Sequence, residues 1–192
     1  DGLQQVTSNG GTARTQGVEL ESQFLLPGNL LVSLNGSYLD AHYIDNAQAV
    51  CYVGDTENVQ DDGDPSTTDV CDYSGKRLAY APEYSFSALV GGEWPLGNLP
   101  FMLTAGVDAI WQDDVLFQAD TDPADSQEAY WLFNLRLGIK DVDDRWRFTF
   151  FVDNLADETY LVYANDMTII SEAHWGSVAS PRLLSIAFAA SF

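Results

Sequence analysis

Carboxylates are the commonest side chains here with chemistry to offer, and they come in clusters. Asp61, Asp62, Asp64, Asp69 and Asp72 lie in "DDGDPSTTDVCD", and Asp113, Asp114, Asp120, Asp122 and Asp125 in "DDVLFQADTDPAD". Such oxygens are hard ligands of the kind Ca²⁺ takes, but neither run has the D-x-[DN]-x-[DN]-G order or the distal Glu of a calcium loop. The expectation is therefore a solvated acidic surface with no resident cofactor, calcium at the acidic loop being the alternative. His42 and His174 stand far apart with no defined carboxylate spacing, a poor metal set, so two unrelated loop-edge histidines and no metal centre are expected.

Cys51 and Cys71 are the only cysteines, and both lie in a polar, Asp-rich segment. A disulfide between them would restrict the unfolded chain by roughly 3 kcal/mol and would point to an oxidising compartment. Two unpaired thiols are the alternative. Tyr160, Tyr163 and Trp175 could serve a ligand as aromatic platforms, or simply pack their own loop. The sequence contains no G-x-S-x-G, no Walker loop, no G-x-G-x-x-G and no H-E-x-x-H, so enzymatic function has no motif behind it.

The elements that carry these residues are strands. Trp146, Phe148, Phe150 and Val152 alternate with Arg147, Thr149 and Asp153 in "RWRFTFFVDN", and the same period of two recurs along the chain. Val18, Leu20 and Phe24 alternate with Glu19, Glu21 and Gln23, and Trp131, Phe133, Leu135, Leu137 and Ile139 with Asn134, Arg136 and Lys140. About seven such strands follow one another, each near the roughly 9–11 residues that cross a bilayer when tilted. "PGN" at 27–29, "PLGNLP" at 95–100 and "DVDD" at 141–144 make short turns, whereas residues 44–78, 113–128 and 155–179 are long, acidic and irregular. An up-and-down meander places the short turns at one end and the long loops at the other.

Alternation alone would also suit a soluble β-sandwich. Aromatics favour the membrane: Trp94, Phe101, Trp146 and Phe192 lie toward the short turns and Tyr38, Tyr84, Trp111 and Trp131 toward the long loops, two belts for two interfaces. Turning Arg136 or Arg147 to the bilayer midplane would cost roughly 2–4 kcal/mol each. Glu19, Glu21, Arg136, Arg147 and Asp153 are therefore expected to face a lumen, pairing with one another or gripping whatever fills it.

Composition agrees. With 29 Asp+Glu against 8 Lys+Arg and a formal net charge of -21, the chain lacks the cations that phosphate backbones require, so nucleic acid is excluded as a partner. No stretch approaches the roughly 20 apolar residues of a membrane-spanning helix. The opening "DGLQQVTSNGG" has neither part of a signal peptide, so either export is absent or the start lies upstream.

Several segments resemble the C-terminal part of the β-barrel of TonB-dependent outer-membrane receptors. "NGGTARTQGVELE" at 9–21 is similar to that family's Asn-Gly lead-in to a Gly-Val-Glu-Leu-Glu strand, "GKRLAYAPEYSFS" at 75–87 to its Ala-Pro-Glu strand entry, and "VDNLADETY" at 152–160 to its Asn-Leu-Phe-Asp stretch. Ala156 stands where the family usually has Phe, and Pro181-Arg182 where it usually has Gly-Arg. The resemblance implies an all-β, antiparallel, transmembrane up-and-down segment spanning 1–192, about seven strands of a barrel of about 22. Seven strands cannot close, since barrels begin at about eight, so further strands belong to the same or another chain.

By the same resemblance the protein works in the outer membrane of a Gram-negative bacterium as an importer of a scarce nutrient, such as a siderophore–iron complex. Its implied partners are the rest of the barrel, a plug domain, the TonB complex, the lipid bilayer and, through Phe192, the barrel-assembly machinery. A passive porin and a soluble secreted β-sandwich binding module are the competing readings.

Overall fold

The structure, a computed structural model, describes residues 11–60, 70–166 and 173–191. Seven strands form one antiparallel sheet: β1 (Thr12–Leu26), β2 (Leu30–Asp45), β3 (Tyr84–Pro95), β4 (Phe101–Gln112), β5 (Tyr130–Asp141), β6 (Trp146–Asp153) and β7 (Leu183–Ala190). Each pairs with its neighbours in chain order, so the sheet is the expected meander. It is open: among the described residues β1 and β7 each have a partner on one side only.

Register carries the alternation of single strands across the whole wall. One row runs Val32, Val90, Val107, Leu135, Val152 and Leu184, and the next runs through Ala105, Leu137, Phe150 and Ile186. On the opposite face Asp108 lies across from Asn134, Gly106 from Arg136 and Lys140 from Arg147. A slip of one residue anywhere would bring apolar and charged groups onto the same face, so the hydrophobic pattern fixes the pairing.

Among the described residues nothing packs over the apolar face. In the middle of the sheet Val107, Leu137 and Phe148 remain 44%, 42% and 43% exposed, which a second sheet would have covered. The sandwich reading fails on that observation. Trp111, Trp131, Phe133 and Phe86 form ring contacts toward the long-loop end, and Phe101 meets Trp146 at the other end with centroids 5.5 Å apart. From Trp131 to Asp141, the partner of Phe101, is ten residue steps. At about 3.3 Å per step and a tilt of about 40°, that is about 25 Å along a barrel axis, the height of an outer-membrane apolar band.

The short turns use residues that tolerate left-handed backbone. Gly28 and Asn29 have φ of 85° and 58°, Gly97 59° and Asp144 56°. Trp94 Nε1 donates to the Gly28 carbonyl at 2.7 Å, anchoring a belt indole to the first turn. The long connections are less irregular than their composition implies. They contain short paired strands (Ala49–Val50, Val59–Gln60 and Val70–Cys71; Val115–Leu116 and Ser126–Gln127), a 3₁₀ turn at Pro123–Asp125, and a hairpin of Leu161–Asp166 with His174–Val178.

Asn154 controls the exit from β6. Its φ is 53°, its side chain donates to the carbonyls of Glu158 (2.8 Å) and Ser180 (3.4 Å), and its Oδ1 accepts from Glu158 N (2.8 Å). Its own N–H donates to Asn134 Oδ1 on β5. Asp157 Oδ1 accepts from Arg182 N at 2.8 Å, and Arg182 in turn reaches the Leu155 carbonyl, tying "DNLADE" to the entry of β7. Asn154→Ala removes these side-chain bonds and leaves an L-residue with a Cβ in the left-handed region. A loss of about 2 kcal/mol is expected, read from the denaturation midpoint of the full receptor in detergent.

Candidate functional site

At the long-loop end the connections 46–83, 113–129 and 154–182 are tied into one cluster. Arg77 links the first two, donating to Asp114 Oδ2 (2.9 Å) and to its carbonyl (2.7 Å), and Tyr80 N donates to the Leu116 carbonyl. Gln118 Nε2 donates to the Ala164 carbonyl (2.8 Å), and Gln127 Oε1 accepts from Leu161 N (2.6 Å), joining the second connection to the third. Val115, Phe117 and Ala164 are buried together with Leu161 against them. This apolar knot lies in the loops rather than in the wall.

Cys51 and Cys71 are bridged, with Cα atoms 5.1 Å apart, inside the limit of about 7 Å. Beside them Asp55 and Tyr73 form the core of the first loop. Asp55 Oδ1 accepts from the backbone of Glu57 and Asn58 and from the Asn58 amide, and Tyr73, fully buried, donates its hydroxyl to Oδ2 at 3.1 Å. Burial alone would raise the Asp55 carboxyl, but the hydrogen bonds from Asn58, Tyr73 and Glu57 outweigh it and hold the pKa below the usual range. Burial pushes the Tyr73 phenol up.

A pH dependence follows from the Asp55 shift. A carboxyl depressed in the folded state adds stability above its unfolded value of about 3.9, lost as the pH falls through the folded value. Amide exchange in residues 52–60 and 70–73 of the full receptor should therefore stay slow down to about pH 4 and accelerate below it. In Asp55→Asn that acid-dependent step should be absent.

The second acidic run is a correction to the sequence reading. Asp122 and Asp125 are not solvated: they are 6% and 0% exposed. Asp122 Oδ1 accepts from Ala124 N (2.8 Å) to cap the 3₁₀ turn, and Asp125 Oδ1 sits 3.1 Å from His174 Nδ1. Burial raises the Asp120 and Asp125 carboxyls. Repulsion from Asp166 and Asp122 adds to it, and the His174 contact offsets part of the Asp125 rise. Asp113 and Asp114 do remain at the loop surface, Asp114 paired with Arg77. Asp61, Asp62, Asp64 and Asp69 lie outside the described residues, and Asp72 caps Ser74 N at 2.9 Å.

The two histidines do not meet. His42 Nδ1 contacts Asp40 Oδ1 at 2.7 Å and its other nitrogen lies 3.3 Å from Arg14, all on the outward face of β1 and β2. The three candidate aromatics pack in two pairs. Tyr160 stacks on Tyr130 with centroids 4.4 Å apart, while Tyr163 meets Trp175 at 5.2 Å with Trp175 still 50% exposed.

On the polar face of the sheet Glu19, Glu21, Arg136, Arg147 and Asp153 all lie opposite the apolar rows. They do not pair with one another. Arg136 binds Asp108 at 3.1 Å, and Arg147 reaches Asp144 at 3.3 Å and Glu93 at 3.8 Å, with Lys140 bridging the same two carboxylates. Glu19 and Glu21 form no ion pair among the described residues. Between these groups the wall holds a hollow of about 850 Å³ floored by Gly91, Gly106 and Ala187 and rimmed by Glu93, Arg136 and Arg147. Phe192 lies outside the described residues.

A single-layer meander with charges on one face and belted aromatics on the other is the wall of a membrane barrel, and comparison identifies which. The family model described as "TonB dependent receptor-like, beta-barrel" matches residues 1–155. The chain belongs to the TonB-dependent receptor β-barrel family. The receptor wall continues past the matched residues, since β7 pairs with β6 along its whole length. Members of this family are outer-membrane transporters and not enzymes.

Two solved receptors share the fold. The ferric yersiniabactin uptake receptor FyuA from Yersinia pestis is 19% identical with a TM-score of 0.71, the match covering 94% of this chain and 24% of that one. The siderophore receptor PiuA from Acinetobacter baumannii is 16% identical with a TM-score of 0.64, covering 92% and 21%. The chain thus spans less than a quarter of the length of either receptor. No curated protein matches it.

Proposed function

We propose that this chain is part of the wall and outer-loop cluster of an outer-membrane TonB-dependent receptor that imports a scarce nutrient such as a siderophore–iron complex. The observation that carries the reading is the family match over residues 1–155 on a sheet whose two faces suit lipid and a polar lumen. In this reading the remaining strands close the barrel and a plug domain fills it against Arg136, Arg147 and Glu93. Substrate binds between plug and outer loops, and the TonB complex drives its release inward.

The loop cluster supports a binding role. Trp175 and Tyr163 offer an aromatic edge half open to solvent, suited to the catecholate or phenolate rings of an iron chelate. The acidic surroundings act against a highly anionic complex and in favour of a neutral or cationic one.

The test is growth under iron limitation of a strain lacking its other siderophore receptors and producing the full receptor, supplied with one ferric siderophore at a time. Rescue by at least one, abolished when TonB is inactivated, supports the proposal. Uptake that persists without TonB would indicate a passive channel.

A further inference from the structure

Three side chains from two loops converge at the outer end of the wall without serving the receptor reading. Asp122 and Asp125 come from the 3₁₀ turn Pro123–Asp125 and its cap, and His174 from the start of the hairpin strand His174–Val178. One ligand-type atom from each lies within 4.8 Å of the others. The two carboxylates are buried and the imidazole is partly open to solvent.

The surroundings fix these groups tightly. Ala124 N holds Asp122 Oδ1, leaving Oδ2 toward His174 Nε2 at 3.9 Å. Asp125 Oδ1 lies 3.1 Å from His174 Nδ1, while Oδ2, wholly buried, has no hydrogen-bond partner among the described residues. A solvent-free carboxylate oxygen without a donor is rare in folded proteins, and an unplaced ion is one of its ordinary causes. Asp120 and Asp166 add two more negative charges within electrostatic reach. The single imidazole cannot balance four carboxylates.

We propose that Asp122, Asp125 and His174 bind a divalent first-row transition cation that clamps the 113–129 loop to the 161–178 hairpin. Imidazole with carboxylate is a donor set for Zn²⁺ or Mn²⁺ rather than for Ca²⁺, which takes oxygen alone. Ligand atoms about a shared Zn²⁺ stand about 3.3 Å apart, from bond lengths of 2.0–2.1 Å in a tetrahedron. The Asp125–His174 pair is already near that spacing, and an Asp122 carboxylate oxygen completes a set of three ligand-type atoms within 4.8 Å of one another. Three protein ligands leave a coordination position open to water. The clamp is independent of the nutrient carried, since it acts on loop geometry whatever binds there.

The experiment is calorimetric titration of the full receptor, purified in detergent and stripped with chelator, with ZnCl₂ alone and then with CaCl₂ alone. One Zn²⁺ per receptor is expected, with affinity reduced at least tenfold in Asp125→Asn and in His174→Gln and unchanged in the exposed control Glu128→Gln. Co²⁺ substitution provides a second readout that loss of folding cannot imitate. Its visible absorption should shift in His174→Gln, which removes the nitrogen ligand while the receptor keeps its heat-modifiable mobility on gels. Equal Zn²⁺ affinity in wild type and both ligand variants, or Ca²⁺ bound in preference to Zn²⁺, would overturn the proposal.

Discussion

Leu137→Arg is expected to destabilise the barrel by about 2–4 kcal/mol, the cost of an arginine on the lipid face near the bilayer midplane. Leu137 lies about midway along β5 between Trp131 and Asp141, flanked by Ala105 and Phe150 on the apolar face. Its side chain is uncovered by protein, so the new guanidinium would enter hydrocarbon without a carboxylate to meet it. Ser87→Arg puts the same group on the inward face, where Ser87 lies across from Asn35 and Ile110, and should cost far less. The comparison is made on the full receptor refolded into lipid, by denaturant midpoint and by the fraction that resists unfolding in detergent without heating. An equal or larger cost at Ser87 would mean that the faces are assigned the wrong way round.

Removing the Cys51–Cys71 bridge should have an effect of similar size but confined to one loop. The two cysteines are 20 residues apart, and a loop of that length is restricted by roughly 3 kcal/mol on the chain-entropy view. The bridge joins two buried groups to the rest of the loop: Cys71 pairs with Ala49 and Val59, and Tyr73 lies against Asp55. Cys51→Ser with Cys71→Ser is therefore expected to open residues 46–60 and 70–83 to proteolysis while the wall keeps its heat-modifiable mobility. Retained protease resistance in the double variant would show that the Asp55 and Tyr73 hydrogen bonds hold the loop unaided.

The wall was legible in the sequence because lipid leaves little freedom. A strand with Trp146, Phe148 and Phe150 on one side and Arg147 and Thr149 on the other has only one orientation without a large desolvation cost, and neighbouring strands must follow its register. Turn chemistry was equally local, carried by Gly28, Asn29 and Gly97. Long-range contacts in the loops left no such trace. Asp125 and His174 are 49 residues apart, and nothing in the spacing of either reveals the other, so the acidic run read as solvated. Its signal was weak but present. Val115 and Phe117 alternate inside that run, and two apolar residues in so polar a segment mark a place where the loop must bury something. Tyr160 met Tyr130 for the same non-local reason.

In a closed barrel the outer margins of β1 and β7 must each be met by a further strand. Among the described residues no strand lies beside the outer margin of the fifteen-residue β1 or of the eight-residue β7, and about half the main-chain groups of each point that way. In hydrocarbon each unmatched group costs several kcal/mol, so strands cannot be threaded into the bilayer one after another. The sheet is therefore matched to hydrocarbon only as part of a complete barrel, whose other strands cover both margins.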